Sequence, residues 1–242
     1  KETIEERIIE SLKKIKGAYC LTIMTENKLI GARDPQGFRP LCLGKLDDGT
    51  WILSSETCGL DVNDAEFVRD IKPGEMVVIS KGEIESSRPF GPSTGRFCIF
   101  EHVYFSRPDS IIGGRSVYET RRQIGVELAR EAPVEADLVC PVPDSGTPAA
   151  IGFAEASGIP FDFGIIRNHY VGRTFIEPTQ KVRELGVKLK HSANRSVVEG
   201  KRIVLVDDVM TSGASVLSAV QALRQTNVAH VQVLVFARTE KG

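Results

Sequence analysis

The spacing of apolar residues changes several times along the chain, and each change predicts an element. Ile4, Ile8, Leu12 and Ile15 recur at helical spacing behind a capping box of Thr3 and Glu6, which predicts an amphipathic helix over residues 3–16. From Tyr19 the apolar runs shorten to strand length, at 19–24, 29–32, 41–44, 51–54 and 76–80. Turn signals separate them: Glu26-Asn27, Asp47-Asp48-Gly49 and Lys81-Gly82. A helix followed by a β meander is expected for residues 1–90. Residues 86–95 are rich in Pro, Gly and Ser and read as a linker, which puts a second domain at 91–242.

In the second part, Val117, Ile124 and Leu128 mark the inner face of a helix over 115–131. Short apolar runs at 136–140 and 161–166 read as strands, and 231–238 reads as a terminal strand. The run from Arg202 to Val206 is apolar almost without break, the pattern of a strand buried on both faces. Asp207 and Asp208 follow it, then Thr211-Ser212-Gly213-Ala214-Ser215. Val216, Val220 and Leu223 then fall on one face of a helix.

That succession is an anion site with a polar neighbour. Loop amides and a helix N-terminus hold a phosphate, and carboxylates beside them hold hydroxyls or a hard cation. A phosphorylated ribose meets both needs. The nucleotide P-loop and dinucleotide glycine patterns are both absent. An ordinary strand-to-helix connection capped by one Asp is the competing reading, and the doubled aspartate argues against it. Asp144-Ser145-Gly146-Thr147 repeats the layout after the 136–140 strand. Taken alone, a plain helix start capped by Asp144 or Ser145 accounts for it as well.

Residues 202–215 resemble the phosphoribosylpyrophosphate (PRPP) loop of type I phosphoribosyltransferases. Four further stretches, 32–41, 53–57, 98–110 and 167–176, resemble the glutamine PRPP amidotransferase family. The resemblance implies an α/β fold: a Rossmann-like type I phosphoribosyltransferase core with a mainly parallel sheet, preceded by a partial Ntn-type α+β domain. It implies a transferase of de novo purine synthesis that forms phosphoribosylamine and pyrophosphate from PRPP, with Mg2+. Thr211, Ser212, Gly213, Ala214 and Ser215 would hold the 5′-phosphate. Asp207 and Asp208 would hold the ribose hydroxyls or Mg2+, and Asp144, Ser145, Gly146 and Thr147 the pyrophosphate. Arg173, with Arg167 and Tyr170, would cover the leaving group from a loop able to close over it.

The departures shape the expectations too. Family glutaminase domains begin with a catalytic cysteine, whereas this chain opens on Lys1 and its first cysteine, Cys20, falls inside a predicted strand. Cys20 is expected to be core packing, glutaminase activity to be absent from this chain, and ammonia to be the nitrogen donor. Many members carry a Mg2+-binding serine where Gly146 stands. Cys98 matches a cluster-ligand position, but no cysteine follows residue 215, so no iron–sulfur cluster is expected. Glu101 and His102 are expected on a strand, facing opposite ways, with His102 structural or at the surface. Residues 209–242 look more like generic and competence-type phosphoribosyltransferases. That ending keeps a base-using phosphoribosyltransferase open, and Gly146 keeps open a non-catalytic PRPP-binding regulator.

Length and charge narrow the setting. At 242 residues the chain can bury one large or two small cores, and a net charge of −1 offers no global attraction to nucleic acid or anionic membrane. No apolar run approaches a membrane span. Five scattered cysteines without a C-x-x-C pair predict no disulfides and a cytoplasmic setting. Half of a two-layer domain would expose a sheet face, so a homo-oligomer or a partner chain is expected to cover it.

Overall fold

The computed structural model describes residues 2–91, 93–168 and 191–239. The chain packs as two compact units, Lys1–Val117 and Tyr118–Gly242.

The first unit runs α1 (Ile4–Leu12), β1 (Cys20–Met24), β2 (Leu29–Arg33), β3 (Cys42–Lys45), β4 (Trp51–Ser54), α2 (Thr57–Asp61), β5 (Glu66–Asp70), β6 (Met76–Ser80) and β7 (Glu83–Ser87), with a short hairpin of β8 (Ile111–Ile112) and β9 (Arg115–Ser116). The expected capping box forms: Glu6 N–H donates to Thr3 Oγ1 at 3.2 Å, and Thr3 N–H donates to the Glu6 carboxylate at 2.7 Å. The helix ends at Leu12, earlier than the apolar spacing suggests, and Ile15 is left half exposed. Its apolar face packs on an antiparallel sheet of order β1-β2-β6-β7, and a second antiparallel sheet has order β4-β3-β5. β5 and β7 are edge strands that the apolar pattern does not reveal, because both are largely polar and solvent-facing.

Residues 98–105 differ from expectation. They contain no strand; Glu101–Phe105 forms a π-helical turn, and both Glu101 and His102 are buried. Glu101 pairs with Arg39 at 2.9 Å and accepts a bond from Ser106 Oγ at 3.2 Å. Downstream, the Glu56 carboxylate accepts from Arg107 N–H and Ser110 Oγ, both at 2.8 Å, and Ile111 N–H donates to Thr57 Oγ1 at 2.8 Å. These bonds hold the segment after residue 98 in the first unit, so the division by packing falls at 117 rather than at the linker near 90.

The second unit runs α3 (Val117–Glu131), β10 (Leu138–Pro141), α4 (Thr147–Ser157), β11 (Ile165–Arg167), β12 (His191–Ala193), α5 (Arg195–Val198), β13 (Arg202–Met210), α6 (Ala214–Arg224) and β14 (His230–Arg238). β10, β13 and β14 form a parallel sheet in that order, as expected of an α/β core. Alternate β13 residues feed two cores. Ile203 and Leu205 pack with Cys140, Ile165, Ala219 and Leu223, while Val204 and Val206 pack with Ala149, Ala150 and Phe153. The β10–β13 register is anchored where the strands begin. Asp137 N–H donates to Arg202 O, and Arg202 N–H returns a bond to the Asp137 carboxylate, each at 2.8 Å. The Arg202 guanidinium holds the Asp137 carboxyl down at about 2.

α3 and α4 meet backbone to backbone at Gly125 and Gly152. A Cβ at Gly125 would run into the Ala149 carbonyl, and one at Gly152 into the Arg122 carbonyl. Gly125→Ala is therefore expected to destabilise the chain by about 1–3 kcal/mol, because backbone cannot yield as a flexible side chain can. An unchanged urea midpoint would rule out this close packing.

Candidate functional site

The site starts from a strand that outruns its apolar residues. β13 does not stop at Val206; pairing with β14 continues through Asp207↔Val235 and Val209↔Ala237 to Met210↔Arg238. Asp207 and Asp208 thus lie within the strand and are only 3% and 4% exposed. Strand alternation turns them to opposite faces: Asp207 follows Leu205 towards the α6 side, Asp208 follows Val206 towards the α4 side. Asp208 N–H donates to Asp207 Oδ1 at 3.0 Å, and Val209 N–H donates to Asp208 Oδ1 at 2.6 Å. The buried Asp208 Oδ2 has no hydrogen-bond partner among the described residues. A buried carboxylate oxygen without a donor is costly, so this atom marks where a ligand hydroxyl or cation fits.

Residues 211–213 lead into α6. Thr211 and Ser212 are exposed, Ala214 is exposed at the first turn, and Ser215 is half-buried. Gly213 is the N-cap with φ +77°, a left-handed conformation that favours glycine, and no side chain caps the helix. The aspartate-capped connection considered above is therefore not what forms, and an uncapped helix start is a place where an anion can bind.

The other loop arises one strand away. Pro141 has no N–H to give, so the last bond from β10 to β13 comes from Val142 N–H to Val206 O at 2.8 Å. The loop then turns through Pro143, Asp144 and Ser145, with a cis peptide between Pro143 and Asp144. Gly146, the N-cap of α4, lies against β13: a Cβ there would stand 2.5 Å from Val206 O and 3.3 Å from Asp207 Cα. Neither Asp144 nor Ser145 caps α4, which removes the plain-cap reading of this loop as well. Thr147 N–H donates to Asp144 O at 3.2 Å and closes the turn. Two uncapped helix starts thus follow adjacent parallel strands, in the crevice where open α/β sheets bind ligands.

Arg167, at the end of β11, donates from Nη1 to Asp144 Oδ2, which brings together two of the residues expected at the site. Tyr170 and Arg173 lie outside the described residues. Ser218 is a contributor the apolar pattern hid. It sits on the buried face of α6, and its Oγ lies 3.2 Å from His191 Nδ1, tying β12 to that helix.

No group of three or more metal-binding side chains occurs among the described residues. Among the described residues the unpartnered Asp208 Oδ2 is the carboxylate oxygen open to an ion, which is compatible with Mg2+: it is commonly held by one or two carboxylates and completed by substrate phosphates. In the first unit, Cys20 donates to Arg39 O at 3.4 Å, and burial pushes its thiol up to about 11. Such a thiol is a poor nucleophile, in keeping with the packing role expected of it.

A family model described as phosphoribosyl transferase domain matches residues 122–242. The chain belongs to the phosphoribosyl transferase family. It is 53% identical over 235 residues to an amidophosphoribosyltransferase of Rhizobium etli, a match covering 95% of this chain and 47% of the relative. A Mycobacterium leprae amidophosphoribosyltransferase is 50% identical over 231 residues, with 96% of this chain and 41% of the relative covered. The chain thus spans under half the length of these curated relatives. Among solved structures, glutamine PRPP amidotransferase from B. subtilis complexed with ADP and GMP superposes with a TM-score of 0.88. It is 46% identical, and the match covers 97% of this chain and 51% of that one. A structure described as the allosteric regulatory enzyme of purine biosynthesis gives a TM-score of 0.87 at 47% identity, covering 97% of this chain and 50% of that one. Both support a type I phosphoribosyltransferase fold. Coverage of 95% exceeds what residues 1–208 could supply alone, so the match to amidophosphoribosyltransferases runs on into the stretch that looked generic.

No helix among the described residues is long and apolar enough to cross a membrane. The packing against β13 accounts for Gly146, where the resemblance implied a serine in many members. As packed, there is no room for any side chain there. Gly146→Ser is expected to lower stability by about 1–3 kcal/mol. Thermal unfolding would test this, and an unchanged midpoint would mean that the loop stands off the strand.

Proposed function

We propose that this chain carries the phosphoribosyl-transferring part of an amidophosphoribosyltransferase of purine synthesis. It takes PRPP and ammonia and yields phosphoribosylamine and pyrophosphate. The observation that carries the reading is the buried Asp208 Oδ2, without a partner among the described residues, on a strand that, like its parallel neighbour β10, leads into a helix start with no side-chain cap. One start suits a 5′-phosphate, the other a pyrophosphate, and the carboxylates between them suit the ribose that joins the two.

In this reading the amides of 211–215 hold the 5′-phosphate, and Asp207 and Asp208 hold the ribose hydroxyls or Mg2+. The 144–147 loop, with Arg167, holds the pyrophosphate. Bound Mg2+ would neutralise the departing phosphates. Ammonia's lone pair forms the new C1–N bond as the C1–O bond breaks. Pyrophosphate leaves with the bonding pair, and the nitrogen gives one proton to solvent. The protein's contribution is positioning and charge stabilisation rather than a covalent intermediate.

Calorimetric titration with PRPP and Mg2+, followed by a pyrophosphate-release assay, tests the assignment. Release should require ammonia, and Asp208→Asn should cut kcat/KM about 100-fold, the scale of losing one preorganised electrostatic contact. Release driven by a purine or pyrimidine base instead would reject ammonia as acceptor. Binding of PRPP without turnover of any acceptor would make the chain a PRPP-binding regulator.

We also infer that the first unit is covered by a second copy or a partner chain. Met24, 83% exposed, and Val62, 72% exposed, with Phe67 and Val68 on the edge strand β5, leave apolar surface uncovered within that unit. Sedimentation at high concentration should show self-association or, with a partner chain, a hetero-complex. A sharp monomer boundary in both settings would refute the covered face.

A further inference from the structure

The 143–147 loop has a feature that an anion site should avoid, an exposed carboxylate. Asp144 would repel a pyrophosphate arriving at the amides beside it. In the structure this charge is neutralised from β11, where Arg167 Nη1 donates to Asp144 Oδ2. The same guanidinium has capacity left over. Its Nε–H is shut off from solvent and finds no acceptor among the described residues. A guanidinium grips phosphate best through two N–H groups of its fork together, and here one branch is engaged while Nε is idle.

Building on the phosphoribosyl-transfer reading above, we propose that Asp144 is a placeholder for the leaving group. In the unliganded protein it positions Arg167 against the loop, and an arriving pyrophosphate group takes the guanidinium from it. Both partners are substantially exposed, 39% for the Arg167 side chain and 62% for that of Asp144. Such a pair is weak enough to release, yet it restricts where a long side chain waits. Pyrophosphate brings more charge and several oxygens against one carboxylate, so it draws the guanidinium off Asp144, and that movement uncovers Nε for use beside Nη1. Asp144 then turns to the solvent it already meets. Asp144 is thus a positioning residue, and Arg167 is the group that touches the ligand.

Titration calorimetry of inorganic pyrophosphate with excess Mg2+ into the full chain tests the exchange. Asp144→Asn frees Arg167 and should tighten binding about two- to fivefold, the strength of an exposed ion pair. Asp144→Ala, which has no acceptor to offer, should do the same. Arg167→Gln should weaken binding about tenfold, as expected for loss of a charged hydrogen bond. The decisive variant combines Asp144→Asn with Arg167→Gln, which should bind like Arg167→Gln alone, because the gain needs the guanidinium. Wild-type binding with no tightening in either Asp144 variant overturns the exchange. So does a gain that persists without Arg167, which would be simple relief of repulsion. A wild-type chain that binds neither PRPP nor pyrophosphate overturns the phosphoribosyl reading itself, and the exchange with it.

Discussion

The distance at which the 143–147 loop approaches β13 governs the candidate site, and a missing side chain sets it. Val142 N–H extends the β10–β13 ladder one bond beyond Pro141, and Gly146 N–H then turns back to Val142 O at 3.1 Å. Only a residue without Cβ can follow that path, because Val206 O and Asp207 Cα occupy the space. The loop that leads into α4 is therefore held beside the strand that carries the two aspartates. A loop displaced by the width of a methyl group would stand off from the carboxylates, although every polar residue were still present.

The same neighbourhood departs from what stability alone would select. Two carboxylates are taken out of water in a strand whose preceding residues are apolar, and one oxygen has no donor among the described residues. Two helices start on glycine with no side-chain cap, so neither carries the acceptor that helix starts commonly present. Where independent departures gather at the ends of adjacent parallel strands, the usual physical reason is a ligand that supplies the missing partners.

The legible parts of the fold were those whose stabilising contacts are local or periodic. The Thr3–Glu6 box appears as written, and the unbroken apolar run before Asp207 does mark a central parallel strand. What escaped depended on residues distant in sequence. β5 and β7 are polar edge strands, recognisable only from the partner that pairs with them. Residues 98–105 carry the aromatic and β-branched content of a strand, but the Arg39–Glu101 ion pair and the bonds to Glu56 just beyond them accompany a π-helical turn. β13 runs on past its apolar residues because β14 lies alongside. The aspartates and both loops could be named from their residue types. The meaning of Gly146 could not, since it depends on a carbonyl 60 residues away, Val206 O.

The distribution of unused hydrogen-bonding capacity also separates the two units. In the first, Arg33 donates to the carbonyls of Arg39, Ile71 and Gly37, so its guanidinium is spent on holding the turn after β2. Glu75 is likewise spent: burial opposes its charge, but bonds from Arg69, Ser86 and the Lys72 N–H outweigh that and lower its pKa. The Tyr19 hydroxyl is an exception, buried there without a partner among the described residues. In the second unit, the unspent atoms Asp208 Oδ2 and Arg167 Nε belong to two of the residues that the loops and strands bring to the candidate site. A charged group that is fully bonded within the fold stabilises it and has little left to offer a ligand. One held in place with a donor or acceptor idle can bind at little reorganisation cost. By that criterion Asp208 and Arg167 are suited to a ligand, whereas Arg33 and Glu75 serve the architecture of the first unit.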